Sequence, residues 1–258
     1  MTSYHHTPSE SATNASAPPT SPRGKQFVKF TFYRVADALR AAPEAERIEA
    51  GGHLRELLER SSERMLTRTY STVGTRADTD FLVWQVADDL DLITHWHSEL
   101  LGSLLASRLE RPHSYLSMTM RSMYENPMHT RAPDDPSRDR LRADESGSKY
   151  LFVYPMVKTR PWYALTREER QRMMDEHIVI GHRYHGIRIN TTYSYGLDDQ
   201  EFVVAFEGDE PGEFLELVRE LRESEASAYT ERDTPMFTCR QMAPVALAAH
   251  IGLALQER

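Results

Sequence analysis

Three histidines fall within nine positions in MMDEHIVIGHRYHG, residues 173–186, in a chain of 258 residues with 11 histidines and a single cysteine. Imidazole can ligate a metal or move a proton near neutral pH. With Cys239 the only thiol, an intrachain disulfide and any thiolate-bound cluster are excluded, so a metal would rest on nitrogen or oxygen. At about 100° per residue a helix places Met173, His177, Ile180, Gly181 and Tyr184 on one stripe, with His182 and His185 elsewhere beside Arg183. His177 therefore faces the core or a pocket. A core imidazole bonded to a backbone carbonyl satisfies that position. So does an axial ligand to haem iron, which needs only one imidazole because the porphyrin supplies four nitrogens. His182 and His185 lack a carboxylate spaced to complete a metal site and read as solvated. His95 and His97 in THWHSE read as lying at a helix surface or subunit contact.

The other conspicuous string is YPMVKTRPWYALTREER. Tyr154, Met156 and Lys158 alternate, so on a strand they share one face. Lys158 either snorkels from an edge strand to water or meets a carboxylate in a pocket wall, where Tyr154 is available for hydrogen bonding or one-electron oxidation. Trp162 and Tyr163 follow, and then Thr166 and Glu169 have the spacing of a capping box that starts the helix bearing His177. Strand, aromatic pair and histidine helix are contiguous.

Those elements sit in the second of two similar halves. QFVKFTFYRV is answered by KYLFVYPMVK, and TRTYSTVGTRADTDFLVWQVAD by NTTYSYGLDDQEFVVAFEGD. The echo pairs Thr69, Tyr70 and Ser71 with Thr192, Tyr193 and Ser194, then Asp80 and Phe81 with Glu201 and Phe202. Two strand–helix–strand–strand–helix units predict an α+β architecture with antiparallel sheets. The expected division is a disordered tail over 1–25, a ferredoxin-like half over 26–120, a connector rich in Pro and Asp over 121–149, a second half over 150–245 and a C-terminal tail over 246–258. The first 25 residues have almost no large apolar side chains to offset the entropy of ordering.

Composition narrows the partners. Hydrophobic residues at 40% and charged ones at 27% suit a real core. A net charge of −8 without a long basic run argues against nucleic acid. No apolar run reaches the roughly 18 residues that span a bilayer, and the N-terminus has no signal-peptide pattern, so a cytoplasmic protein without stable membrane insertion is expected.

From YLFVYPMVK through PWYALTREERQRMMDEHIVIGHRYHG to GLDDQEFVVAFE and LVRELRESEASAYTERDTPMFT, the chain resembles the chlorite dismutase superfamily, and within it the coproheme decarboxylases. The resemblance implies a ferredoxin-like dimeric α+β barrel with two pseudo-repeated halves per chain, a homopentamer, and a porphyrin in the C-terminal half. It implies His177 as the iron ligand, Tyr154 as the redox tyrosine and Lys158 beside a reactive propionate. Arg140 and Ser227 match residues that anchor propionates, Met156 and Trp162 match the pocket wall, and Asn190 matches the distal position. The activity implied is hydrogen peroxide-dependent oxidative decarboxylation of Fe-coproporphyrin III (coproheme), at once substrate and redox cofactor, to haem b through a tyrosyl radical. Coproheme has four carboxylates, whose burial requires cations and donors. Chlorite dismutase chemistry is the competing reading, but the distal arginine of those enzymes falls on Asn190 here, or on Ile189 one step away. Their glutamate partner of the proximal histidine falls on Ala226. A haem-dependent peroxidase and a non-catalytic haem carrier or sensor are further alternatives. Asn190 can orient peroxide but cannot act as a general base.

Overall fold

Apolar side chains in both halves alternate along the strands, a pattern that buries one sheet face against helices and the other inside the sheet. The computed structural model describes residues 25–124, 141 and 147–253. The first half runs β1 (Phe27–Val35), α1 (Asp37–Arg40), α2 (Glu44–Arg64), β2 (Leu66–Ser71), β3 (Phe81–Ala87), α3 (Leu90–Leu101) and β4 (Leu109–Met118). The second runs β5 (Tyr150–Lys158), α4 (Arg160–Ala164), α5 (Arg167–Gly181), β6 (Arg188–Tyr193), β7 (Phe202–Gly208), α6 (Pro211–Glu223), a 3-10 turn (Glu225–Tyr229), β8 (Thr230–Arg232), β9 (Phe237–Gln241) and α7 (Pro244–His250). The result is a mixed α+β fold built on one large antiparallel sheet.

Strand order in the first half is β4-β1-β3-β2, and in the second β6-β7-β5-β9, the same arrangement seen twice. The halves join edge to edge. Tyr70 and Ser71 of β2 pair with Gln241 and Arg240 of β9, and Met118 of β4 pairs with Tyr193 of β6. The pairings thus run in a closed cycle of eight strands, with β8 added beside β5. Inside the cycle lie Val28, Phe30, Phe32, Trp84, Val153, Val203 and Phe237. Outside it, α2, α3 and α7 cover the first half through Leu54, Leu58, Trp96, Leu100 and Leu247, while α5 and α6 cover the second through Ile180, Leu217 and Leu221.

An acidic residue fixes the strand ends in each half. Asp80 N–H donates to the Tyr33 carbonyl at 2.7 Å and its carboxylate accepts from Val35 N–H at 2.7 Å. Glu201 repeats this with the Met156 carbonyl at 3.2 Å and Lys158 N–H at 2.8 Å. Phe81 and Phe202 correspond, but their strand partners are Ser71 and Tyr193, so Tyr70 corresponds to Thr192. The sequence echo that matches Tyr70 with Tyr193 is therefore one residue out of register, which would place them on the same face when they lie on opposite ones. Gly74 and Gly196, at φ +83° and +72°, mark the matching turns, in a region that favours glycine.

One boundary differs from expectation. Residues 246–258 were expected as a tail, but α7 packs on α2, and Leu247, Ile251 and Leu253 are buried in the first half's core. Gly51 of α2 permits this approach, because a methyl there would overlap the Leu253 carbonyl. Most of the expected N-terminal tail and of the connector lies outside the described residues. No described helix is long and apolar enough to cross a membrane.

One buried ion pair links the halves. Arg68 of β2 and Glu207 of β7, both buried, meet at 2.5 Å inside the cycle, with the guanidinium over Trp84. Breaking such a pair leaves a charge stranded, which costs about 3–5 kcal/mol. Arg68→Met is expected to lower the urea unfolding free energy by about that amount. The double change Arg68→Met with Glu207→Leu is expected to recover only part of the loss, since the stranded charge is removed but Asn190 and Arg188 lose their acceptor.

Candidate functional site

The outward face of β5 carries Phe152, Tyr154 and Met156 because strand residues alternate and Leu151 and Val153 fill the interior. In the second half the helices stand away from this face and leave a cavity of about 760 Å3, within the range of cofactor sites. Its walls include Tyr154, Met156, Lys158, Trp162, His177 and Ser227, so six of the residues singled out in the sequence converge on one space.

His177 projects from α5, whose start is fixed by the expected capping box: Thr166 Oγ1 accepts from Glu169 N–H, and the Glu169 carboxylate accepts from Thr166 N–H. Its Nδ1 lies 3.3 Å from Ser224 Oγ, and Ser224 donates its own proton to the Leu221 carbonyl at 2.7 Å. A hydroxyl has one proton, so here the serine accepts and Nδ1–H donates. That tautomer leaves the lone pair on Nε2. Burial, with the Lys158 charge adding to it, pulls the imidazole down to about 4, so it is neutral at pH 7. A neutral imidazole oriented through Nδ1 is what axial ligation of iron needs.

Lys158 ends β5 and is only 8% exposed. Its ammonium donates to the Ala226 carbonyl at 2.7 Å and Thr230 Oγ1 at 3.3 Å, and lies 4.7 Å from the centre of the Trp162 ring. Burial lowers its pKa to about 8, against the attraction of Glu201, whose carboxylate is engaged by Lys158 N–H and the Tyr163 hydroxyl. Among the described residues no carboxylate forms an ion pair with this ammonium. Trp162 of α4 is buried and packs edge-on to Tyr124. Tyr154 is buried, and desolvation with nearby Asp233 pushes its phenol above the ordinary range, which Arg222 partly offsets. The phenol keeps its proton at neutral pH.

Asn190 is not on the wall. Its Nδ2 donates to Glu207 at 2.9 Å, and Arg188 reaches the same carboxylate at 3.4 Å. Asn190 sits on the inward-facing register of β6, while Ile189 and Thr191 line the cavity, which Arg188 at the start of the strand also borders. The expectation for Asn190 is thus corrected by one residue. Arg140 lies outside the described residues.

A porphyrin fits what is present. Among the described residues no group of three or more His, Cys, Asp or Glu is arranged to hold a metal ion, so iron here would depend on His177 and a macrocycle. The apolar walls suit a flat ring, and Lys158 and Ser227 suit its carboxylates.

The chlorite dismutase family model matches residues 47–242. The chain belongs to the chlorite dismutase family. It is 29% identical over 215 residues to the coproheme decarboxylase of Mycolicibacterium smegmatis, covering 83% of this chain and 88% of that one. In fold it is similar to a mutant chlorite dismutase from Candidatus Nitrospira defluvii, at TM-score 0.78 and 19% identity over 90% of this chain and 97% of that one. The imidazole complex of the chlorite dismutase from the same organism superimposes at TM-score 0.75 and 18% identity, over 88% and 95% of the two chains.

For this family member, sequence reasoning missed Ser224, which orients His177, and the pair Arg222–Asp233, joined at 2.6 Å on the cavity wall beside Tyr154. No motif marks them. They reach the site from the end of α6 and the turn after β8, which only the tertiary fold brings to α5 and β5. Tyr124, from the segment after β4, was likewise assigned to the connector.

The Lys158 shift sets a stability test. Its folded pKa of about 8 lies below its unfolded value, so between about 8 and about 10.5 the unfolded chain binds more protons. The contribution of this group to stability therefore rises with pH across that window and is smallest below about 8. Lys158→Met is expected to flatten the rise, as measured by urea unfolding of both proteins on either side of the window.

Proposed function

We propose that this protein carries out the hydrogen peroxide-dependent oxidative decarboxylation of coproheme to haem b. The observation that carries the reading is the meeting of Tyr154, an ammonium at Lys158 without a carboxylate partner among the described residues, and a neutral imidazole at His177 on one largely apolar cavity. The 29% identity to a coproheme decarboxylase over most of both chains supports the same reading. When bound, the iron porphyrin supplies peroxide-driven oxidation.

The residues divide the work. His177 holds the iron through Nε2, with Ser224 fixing its tautomer. Lys158 holds a propionate carboxylate, which offsets the cost of a buried ammonium. Tyr154 starts protonated, so it has a hydrogen atom to lose, and as a phenoxyl radical it takes one from the β-carbon of a propionate. Loss of carbon dioxide and one further electron leaves a vinyl group. For each propionate, two electrons and a proton leave, and one peroxide takes up the electrons to become two waters. Ser227 and Arg140 are assigned to the remaining carboxylates, and Met156 and Trp162 to the ring's edge. The wall strand supports this over chlorite chemistry: the position that the resemblance gives to a distal arginine in chlorite dismutases is Asn190 or Ile189 here, and Arg188, also at the cavity, is paired with Glu207.

The test is mass spectrometry of the porphyrin as peroxide is added stepwise to protein loaded with ferric coproporphyrin III. Passage through a three-propionate intermediate to haem b is expected, and its loss in Tyr154→Phe with the porphyrin still bound. Bleaching or return of intact substrate in the wild type would overturn the reading. Full conversion by Tyr154→Phe would remove the tyrosine from it. His177→Ala is expected to weaken ferric porphyrin binding and shift the Soret band, as seen by optical titration.

A further inference from the structure

The duplication gives the first half a counterpart of the outward β5 face. Since Val35 and Lys158 take the same place relative to Asp80 and Glu201, Thr31 of β1 stands where Tyr154 stands in β5. That face is not fully covered either. A groove of about 580 Å3 opens between β1, β4 and α3, with Lys29, Thr31, His97 and Arg111 among its walls.

Among the described residues its polar groups are short of hydrogen-bond and charge partners. Thr31 is 1% exposed, and its hydroxyl lies beside that of Tyr33; one bond between the two leaves one proton without an acceptor among the described residues. The buried Nε2 of His97 has no hydrogen-bond partner among the described residues. Among the described residues neither Lys29 nor Arg111 forms an ion pair. The carboxylate nearest in influence to Lys29 is Asp198, which already accepts from Leu116 N–H at 2.6 Å and Gln200 Nε2 at 3.1 Å. Burial and the charges of Lys29 and Arg111 keep His97 neutral, down to about 4. Leu90, Ile93, Leu101 and Leu116 make the rest of the wall largely aliphatic, with Thr94, Ser98 and Ser114 among them.

Two cations and buried donors beside an aliphatic wall specify an acceptor-rich anion with an apolar body. We propose that the groove is a second ligand site, separate from the porphyrin cavity, for an organic anion whose single carboxylate or phosphate lies between Lys29 and Arg111. One head-group oxygen accepts from Thr31, and the apolar body lies along α3. The duplicated fold would then bind an anionic, largely apolar molecule in each half, a small one in the first and a macrocycle in the second.

Calorimetric titration of the full chain loaded with ferric porphyrin tests this, using octanoate, octyl phosphate, inorganic phosphate and octanol as probes. Saturable binding of octanoate or octyl phosphate is expected, and their relative affinities distinguish carboxylate from phosphate. The double variant Lys29→Met with Arg111→Met is expected to weaken it at least about tenfold, and Thr31→Val several-fold, with porphyrin binding unchanged as the check on folding. Absence of saturable binding to the wild type would overturn the proposal. So would equal affinity in the double variant, which would place the anion elsewhere, or equal binding of octanol, which would make the groove merely apolar.

Discussion

Everything at the cavity depends on the two-residue alternation of strands in a closed sheet. The interior of the cycle is filled by Val28, Phe30, Phe32, Trp84, Val153, Val203 and Phe237, so no functional side chain can be placed there without displacing core. Chemistry is confined to the outward register, and one step along a strand moves a side chain from site to interior. Tyr154 and Met156 are on the right step. Asn190 is on the wrong one, and its amide serves a buried cluster around Glu207. The same rule places Arg68 inside, where it can be tolerated only because Glu207 meets it.

Burial sets the electrostatics of the site, and it acts on each group in the direction its role requires. It holds the His177 imidazole neutral, with a free lone pair, and holds the Tyr154 phenol protonated. On Lys158 the effect stops short: a pKa of about 8 leaves the ammonium charged at neutral pH, satisfied by a carbonyl, a hydroxyl and the face of Trp162. A buried cation held by neutral partners is costly, and the cost is removed by an anion with a carboxylate to offer. On the proposed function, part of the affinity would then reside in an ammonium that the described residues leave without a counter-ion.

Much of this was legible in the sequence because it is local. The alternation of Tyr154, Met156 and Lys158, the capping box at Thr166 and Glu169, and the stripe carrying His177 are short-range patterns, and each element formed where its pattern lies. What depended on register or on distant elements was not. The Thr-Tyr-Ser echo misleads by one residue, since strand register is set by pairing and not by residue identity. Helix α7 looks like a tail because its apolar residues find their partners on α2, nearly 200 positions earlier, where Gly51 admits the chain. Ser224, Arg222 and Asp233 are ordinary surface residue types until the packing of α6 against α5 makes them neighbours of His177 and Tyr154.

The two halves show how one frame closes most of its outward face in one copy and leaves a large cavity there in the other. The anchor is retained in both: Asp80 and Glu201 tie the ends of β1 and β5 in the same way. The side chains on the outward face differ. Where the first half has Tyr33 and Val35 packed under α2 and α3, the second has Met156 and Lys158 bordering open space. In the first half α2 supplies Leu54, Leu57 and Leu58 to close the layer, whereas the corresponding α5 presents His177 and Gly181 to the cavity. Replacing large aliphatic side chains by an imidazole and a glycine removes the volume that would fill the gap, and the closed sheet cannot collapse to recover it because its opposite face is already packed. The rigidity of the cycle is thus what keeps the cavity open, and the cavity's chemistry follows from the few outward positions at which the second half departs from the first.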